Sequence, residues 1–102
     1  MTAAILGGTF NPVHIGHLCL AEEVRSAFVY DRIILVPAAI PVHKDATPVI
    51  PGAHRLAMLR LAAAGSDGLL VDDGELARGG PSWTVDTVAD LVPRYGIEGR
   101  PG

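Results

Sequence analysis

Three short apolar runs alternate along the chain with three longer stretches in which apolar residues recur every three or four positions. The runs are Ala3 to Gly7, Arg32 to Val36 and Gly68 to Asp72. They lack the polar alternation of a half-exposed strand, so they predict strands covered on both faces. The first periodic stretch, from about His14 to Phe28, carries Leu18, Ala21, Val24, Arg25 and Phe28 at helical spacing. The second, from about Gly52 to Ala64, is apolar at Leu56, Leu59 and Ala63, with Gly65 as its terminator. The third opens at Thr84 as N-cap, with Asp86 at the positive end of the helix dipole and Val85, Val88, Ala89 and Val92 as its apolar positions. Pro93 predicts that this helix ends or kinks near Val92. Two connecting stretches stand out. Pro37 to Ile50 is too long for an ordinary helix–strand connection and reads as functional or mobile, and Glu75 to Ser82 reads as a loop.

Strand, helix, strand, helix, strand, helix with continuous apolar strands predicts an α/β fold, a doubly wound parallel sheet of which this chain carries the first βαβαβα half. The handedness of βαβ units sets the three strands side by side with the first one innermost. With no second half to pair with it, Ala3 to Gly7 is expected to be an exposed apolar edge through which the chain self-associates, as a homo-oligomer or otherwise.

Composition narrows the class. The chain has 102 residues, 8 Lys and Arg against 11 Asp and Glu, and a net charge of −3, enough for one small domain. An acidic balance disfavours nucleic acid, because affinity for duplexes comes from neutralising phosphates. The longest uncharged apolar run, Ile33 to Val42, contains two prolines and is too short to cross a bilayer, so no membrane is expected. The amino end lacks the basic region of a signal peptide. The single cysteine, Cys19, cannot close an intrachain disulfide, which fits a cytoplasmic protein.

The chemistry concentrates in Gly7-Gly-Thr-Phe-Asn-Pro-Val-His-Ile-Gly-His17, between the first strand and the first helix. This is where doubly wound folds bind ligands. The paired glycines allow a sharp turn with backbone N–H groups close to a ligand, and Gly16 does the same for the first helical turn. His14 and His17, three apart, converge on whatever occupies the positive helix end, for which an anion is suited. Two histidines on one face can also bind zinc, but only Cys19, Glu22 and Glu23 are near enough to complete a ligand set and they form no metal motif.

This stretch resembles the H-x-G-H signature of the nucleotidyltransferase superfamily. Pro37-Ala-Ala-Ile-Pro-Val-His-Lys44 and Glu75-Leu-Ala-Arg-Gly-Gly-Pro-Ser-Trp-Thr-Val-Asp-Thr87 resemble the second and third motifs of the bacterial nicotinate-nucleotide adenylyltransferases. The resemblance runs from Ile5 to about Tyr95. It implies adenylyl transfer from ATP to nicotinate mononucleotide, giving deamido-NAD and pyrophosphate in NAD biosynthesis. It also implies His14, His17 and Lys44 as catalytic residues, Gly8, Thr9, Phe10, Gly16, Trp83 and Thr84 around the nucleotides, and Mg²⁺ carried by the ATP phosphates with no protein ligand. Trp83 stands where tyrosine is common in that family, and either contacts a planar ring or packs beside Gly79-Gly80. His54 and Arg55 either assist phosphate binding or form a solvated helix end. Val42 replaces a proline common before the His-Lys pair. Family members are about twice as long, and their second half supplies a serine- and arginine-containing motif that holds the ATP phosphates, as well as much of the nicotinate pocket. Residues 1–102 are thus expected to be the amino-terminal part of one domain and to be inactive alone. The alternatives are transfer to nicotinamide mononucleotide or phosphopantetheine, or a non-catalytic nucleotide-binding fragment.

Overall fold

The computed structural model describes residues 1–8, 10, 15–39, 50–79 and 83–102. The elements, in chain order, are β1 (Ala3–Gly8), α1 (Ile15–Phe28), β2 (Arg32–Pro37), α2 (Gly52–Ala63), β3 (Leu69–Val71), α3 (Gly74–Arg78) and α4 (Thr84–Tyr95). The strands form a parallel sheet in the order β1-β2-β3, with Ala4 opposite Ile33, Leu6 opposite Leu35, and Ile33 opposite Leu69. This is the side-by-side order expected of right-handed βαβ units.

Alternate residues of β2 feed two separate cores, which is why its sequence is apolar without a break. Ile33 and Leu35 pack with Ala4 and Leu69 against Ala21 of α1 and Leu59 and Ala63 of α2. Ile34 and Val36 pack with Ala3 against Leu91 of α4 and Ile97. The chain therefore winds α1 and α2 over one face of the sheet and α4 over the other, as a doubly wound fold requires.

The crossover through α4 brings the last residue back to β1. The Ile5 N–H donates to the Gly102 carbonyl at 2.8 Å, and the Gly102 N–H donates to the Ala3 carbonyl at 3.0 Å. That alternation is the start of a parallel ladder. The amino-terminal part of the β1 edge is thus paired within the chain, which corrects the expectation of a bare edge along Ala3 to Gly7.

Several local expectations also change. Gly74–Arg78 is a short helix where a loop was expected, opened by Asp73 and closed by Gly79, whose φ of 66° is one that glycine adopts without strain. Trp83, in extended conformation, is the N-cap of α4, and Thr84 is its first helical residue. Pro93 lies inside α4, which continues to Tyr95 and ends at the left-handed Gly96. The helix tolerates the proline in its last turn because the carbonyl it leaves without a donor belongs to Ala89, which is exposed to water. The buried positions of α4 are Thr87 and Leu91, while Val85 is 73% exposed. Phe28 is exposed as well, because α1 ends there and Val29 turns the chain with a φ of 57°. Helix α2 ends at Ala63, and its cap, Ala64, is still right-handed, so Gly65 is not a left-handed terminator.

Candidate functional site

The order of crossovers fixes where a ligand can enter. One neighbour of β1 is reached through a helix on one face, and its other neighbour, Gly102, through α4 on the opposite face. Such a reversal opens a crevice outside the carboxyl end of the strand. At that end lie Gly8, Phe10 and the first turn of α1, with Gly16 and His17.

Gly7 and Gly8 are still part of β1 and do not adopt positive φ. The sharp turn expected at the glycine pair is instead made by Phe10, which has a φ of 48° and is buried to 3% exposure. A bulky residue in the left-handed region costs about 1–3 kcal/mol and persists only where its surroundings enforce it. Here the ring is held edge-on to His17, with centroids 4.9 Å apart and planes at 67°, and the Gly8 backbone lies against it. A Cβ on Gly8 would touch the Phe10 ring at 3.6 Å. The strained residue thus seats the half-buried imidazole of His17 at the amino end of α1, where the helix dipole favours negative charge. Thr9, His14 and Lys44 lie outside the described residues, so the convergence of the two histidines is not part of the described geometry.

The carboxyl end of β2 is tied to the same edge, because the Ala38 N–H donates to the Gly8 carbonyl at 2.8 Å. Arg55 is neither a solvated helix end nor an exposed phosphate ligand. It is 2% exposed, and its guanidinium donates to the Ala38 carbonyl at 2.7 Å and to the Ile50 carbonyl at 2.8 Å. It therefore joins the chain just after β2 to the chain just before α2. Burial pulls its pKa down from the usual arginine range. The sequence signal was its position, one turn before Leu59 and two before Ala63 on the same helical stripe. His54, next to it, is exposed.

Beyond β3, two polar groups anchor α4. Asp72, 2% exposed, accepts from Arg94 at 2.6 and 3.1 Å, from the Tyr95 hydroxyl at 2.8 Å and from the Gly74 N–H at 3.0 Å. Burial pushes its pKa up, but the Arg94, Gly74 and Tyr95 donors outweigh burial and hold the carboxyl below the usual range. Burial and the Asp72 carboxylate both push the Tyr95 phenol up. Towards the amino end of α4, Thr87 is 4% exposed, and its hydroxyl donates to Glu75 at 2.6 Å and accepts from Arg78 at 3.0 Å. Trp83 and Thr84, at the amino end of α4, are exposed, the indole to 71%. No group of three or more potential metal ligands occurs among the described residues. Among the described residues, no helix is long and apolar enough to cross a membrane.

The cytidylyltransferase-like family profile matches residues 5–98. A protein of Geobacter sulfurreducens called a probable nicotinate-nucleotide adenylyltransferase is 48% identical over 95 residues, covering 93% of this chain and 44% of that protein. One of the same name from Pseudomonas entomophila is 54% identical over 87 residues, covering 85% of this chain and 39% of that protein. The chain spans less than half the length of these curated relatives. Among solved structures, Plasmodium falciparum nicotinic acid mononucleotide adenylyltransferase complexed with NaAD has a similar fold, with a TM-score of 0.71 at 16% identity over 93% of this chain and 47% of that one.

Proposed function

We propose, from the premise that this chain belongs to the cytidylyltransferase-like family, that it supplies the mononucleotide side of an enzyme that transfers adenylyl from ATP to nicotinate mononucleotide. The observation that carries this reading is the seating of His17 by the strained Phe10 at the crevice beside β1. The relatives that share the surrounding sequence bear the name of that activity.

In this reading, an oxygen of the mononucleotide phosphate attacks the α-phosphorus of ATP. A new P–O bond forms, the bond from the α-phosphorus to the bridging oxygen breaks, and pyrophosphate leaves with that electron pair. The nucleophile is already anionic near neutral pH, because the second pKa of a phosphate monoester is about 6, so no strong base is required. The protein's part is alignment and charge stabilisation. His14 and His17 donate to the phosphate oxygens at the amino end of α1, and Lys44 adds a cation. Gly8, Thr9, Phe10 and Gly16 line the nucleotide side, and Trp83 and Thr84 face the nicotinate end. Mg²⁺ travels with the ATP phosphates and neutralises part of their charge. Residues 1–102 are one part of a single nucleotidyltransferase domain that works in the cytoplasm.

A chimera tests this. Residues 5–98 replace the matching stretch of the Geobacter sulfurreducens relative, and product is followed with ATP, Mg²⁺ and each acceptor in turn. Deamido-NAD and pyrophosphate should form from nicotinate mononucleotide, with lower kcat/KM for nicotinamide mononucleotide and phosphopantetheine. In the same chimera, His17→Ala should lower kcat by about 10²–10³ with a smaller change in KM, as expected for a donor whose bonds strengthen as charge develops. Turnover of another acceptor in preference would overturn the assignment. An unchanged kcat in the variant would make His17 a ground-state contact.

A further inference from the structure

Thr87 occupies an unusual place for a buried polar residue. Its N–H closes the first turn of α4 on the Trp83 carbonyl at 3.1 Å. Its hydroxyl crosses to α3, where it donates to Glu75 and accepts from Arg78. One residue thus joins the backbone of Trp83 to the side chains of a neighbouring helix. Helix α3 is itself tied to the end of β3, since the Gly74 N–H donates to the Asp72 carboxylate at 3.0 Å. The two helices meet through Thr87, so its contacts tie the start of α4, with Trp83, to the side chains of α3.

A purely apolar contact would serve burial at this position as well. The hydroxyl supplies direction, because it uses both its donor and its acceptor capacity on charged partners and so has one good orientation. Leu91, one turn further along the same stripe, gives α4 its non-directional hold on Ile34 and Val36. Packing of that kind permits small rotations that would swing the helix start. The Thr87 bonds oppose them.

We propose that Thr87, bridging Glu75 and Arg78, is a positioning residue that fixes the orientation of Trp83 and Thr84 and thereby sets affinity for the nicotinate end of the mononucleotide. The assignment rests on the reading of that site given above, and the test separates the two. Trp83 is the only tryptophan in the chain, so its fluorescence reports on the segment directly. Anisotropy of the ligand-free chain measures how firmly Trp83 is held, and quenching on titration with nicotinate mononucleotide gives Kd.

Thr87→Val, which keeps the shape and removes both hydroxyl bonds, should lower Trp83 anisotropy and raise Kd about tenfold. Thr87→Ser should restore both. Glu75→Ala should act in the same direction, and the Glu75→Ala/Thr87→Val double variant should be no worse than Thr87→Val alone, because the groups act as a unit. Should Thr87→Val fail to fold, Glu75→Ala carries the test. A lower melting temperature with wild-type anisotropy and Kd would mark a hydroxyl that serves stability alone and would overturn the proposal, as would strictly additive effects in the double variant. If the wild-type chain shows no response to the mononucleotide, the site reading fails, while the anisotropy comparison still decides whether Thr87 fixes Trp83.

Discussion

On one face of the sheet, Ala21, Leu59 and Ala63 seat α1 and α2 on Ile33 and Leu35 in a hydrocarbon core, and Arg55 ties only the amino end of α2 to backbone carbonyls. On the other face, Leu91 and Ile97 seat α4 on Ile34 and Val36, but the helix is also tied at both ends by charged groups. Arg94 and Tyr95 meet Asp72 near its carboxyl end, and Thr87 meets Glu75 and Arg78 near its amino end. Dispersion and the hydrophobic effect reward burial without specifying rotation, whereas hydrogen bonds to ionised groups do specify it. The first face should therefore supply most of the stability, and the second should set where the start of α4 points. His17 lies on a helix of the first face, and Trp83 and Thr84 open the helix of the second.

The largest effect should come from the hydrocarbon face. Leu59 is fully buried beneath α2, and Leu59→Ala should cost about 2–5 kcal/mol of unfolding free energy, read from urea titration. A cost under about 1 kcal/mol would mean that this face does not dominate.

Asp72→Asn should come next, at about 2 kcal/mol at neutral pH, since it weakens charge-assisted bonds to Arg94 and the Tyr95 hydroxyl. The pH dependence gives the sharper reading. The carboxyl is held below its usual value in the folded chain, while in the unfolded chain it titrates near about 3.9. Its stabilisation is therefore complete above the unfolded value and is lost as pH falls through the folded one. Wild type should lose stability on acidification below about pH 4, and Asp72→Asn should flatten that decline. An equally steep acid limb in the variant would show that Asp72 does not hold α4.

The smallest effect lies at the end of α1. Val29 is 82% exposed with a φ of 57°, a conformation in which a β-branched side chain is strained. Val29→Gly should raise stability by about 0.5 kcal/mol, the relief of strain being partly offset by the entropy of glycine. A loss of stability would mean that the exposed side chain makes a contact worth more than the strain.

The strands, their order and the faces of α1 and α2 were legible because burial on both sides writes an unbroken apolar run and a helix stripe repeats every three or four residues. What was not legible came from polar residues that occupy stripe positions. Arg55 precedes Leu59 by one turn and Thr87 precedes Leu91 by one turn, yet a charge or hydroxyl in the sequence reads as surface unless its partners are known. Those partners, the Ala38 and Ile50 carbonyls for Arg55 and the Glu75 and Arg78 side chains for Thr87, are set by tertiary structure. The turn after β1 was misplaced for a related reason. Glycine marks where a positive φ is easy, whereas Phe10 adopts one while buried with its ring against His17. Helix α3 is a single short turn between β3 and α4, too brief to show a period.

The central claim, that the crevice at the carboxyl end of β1 receives nicotinate mononucleotide, is tested most directly by titrating the ¹⁵N-labelled chain with that nucleotide and following its amide resonances. The account predicts that shifts concentrate at Gly8, Phe10, Gly16, His17 and Thr84, while Asp31 and Ser66, at the opposite end of the sheet, stay in place. No shifts at millimolar nucleotide, or shifts centred on Asp31 and Ser66, would contradict it.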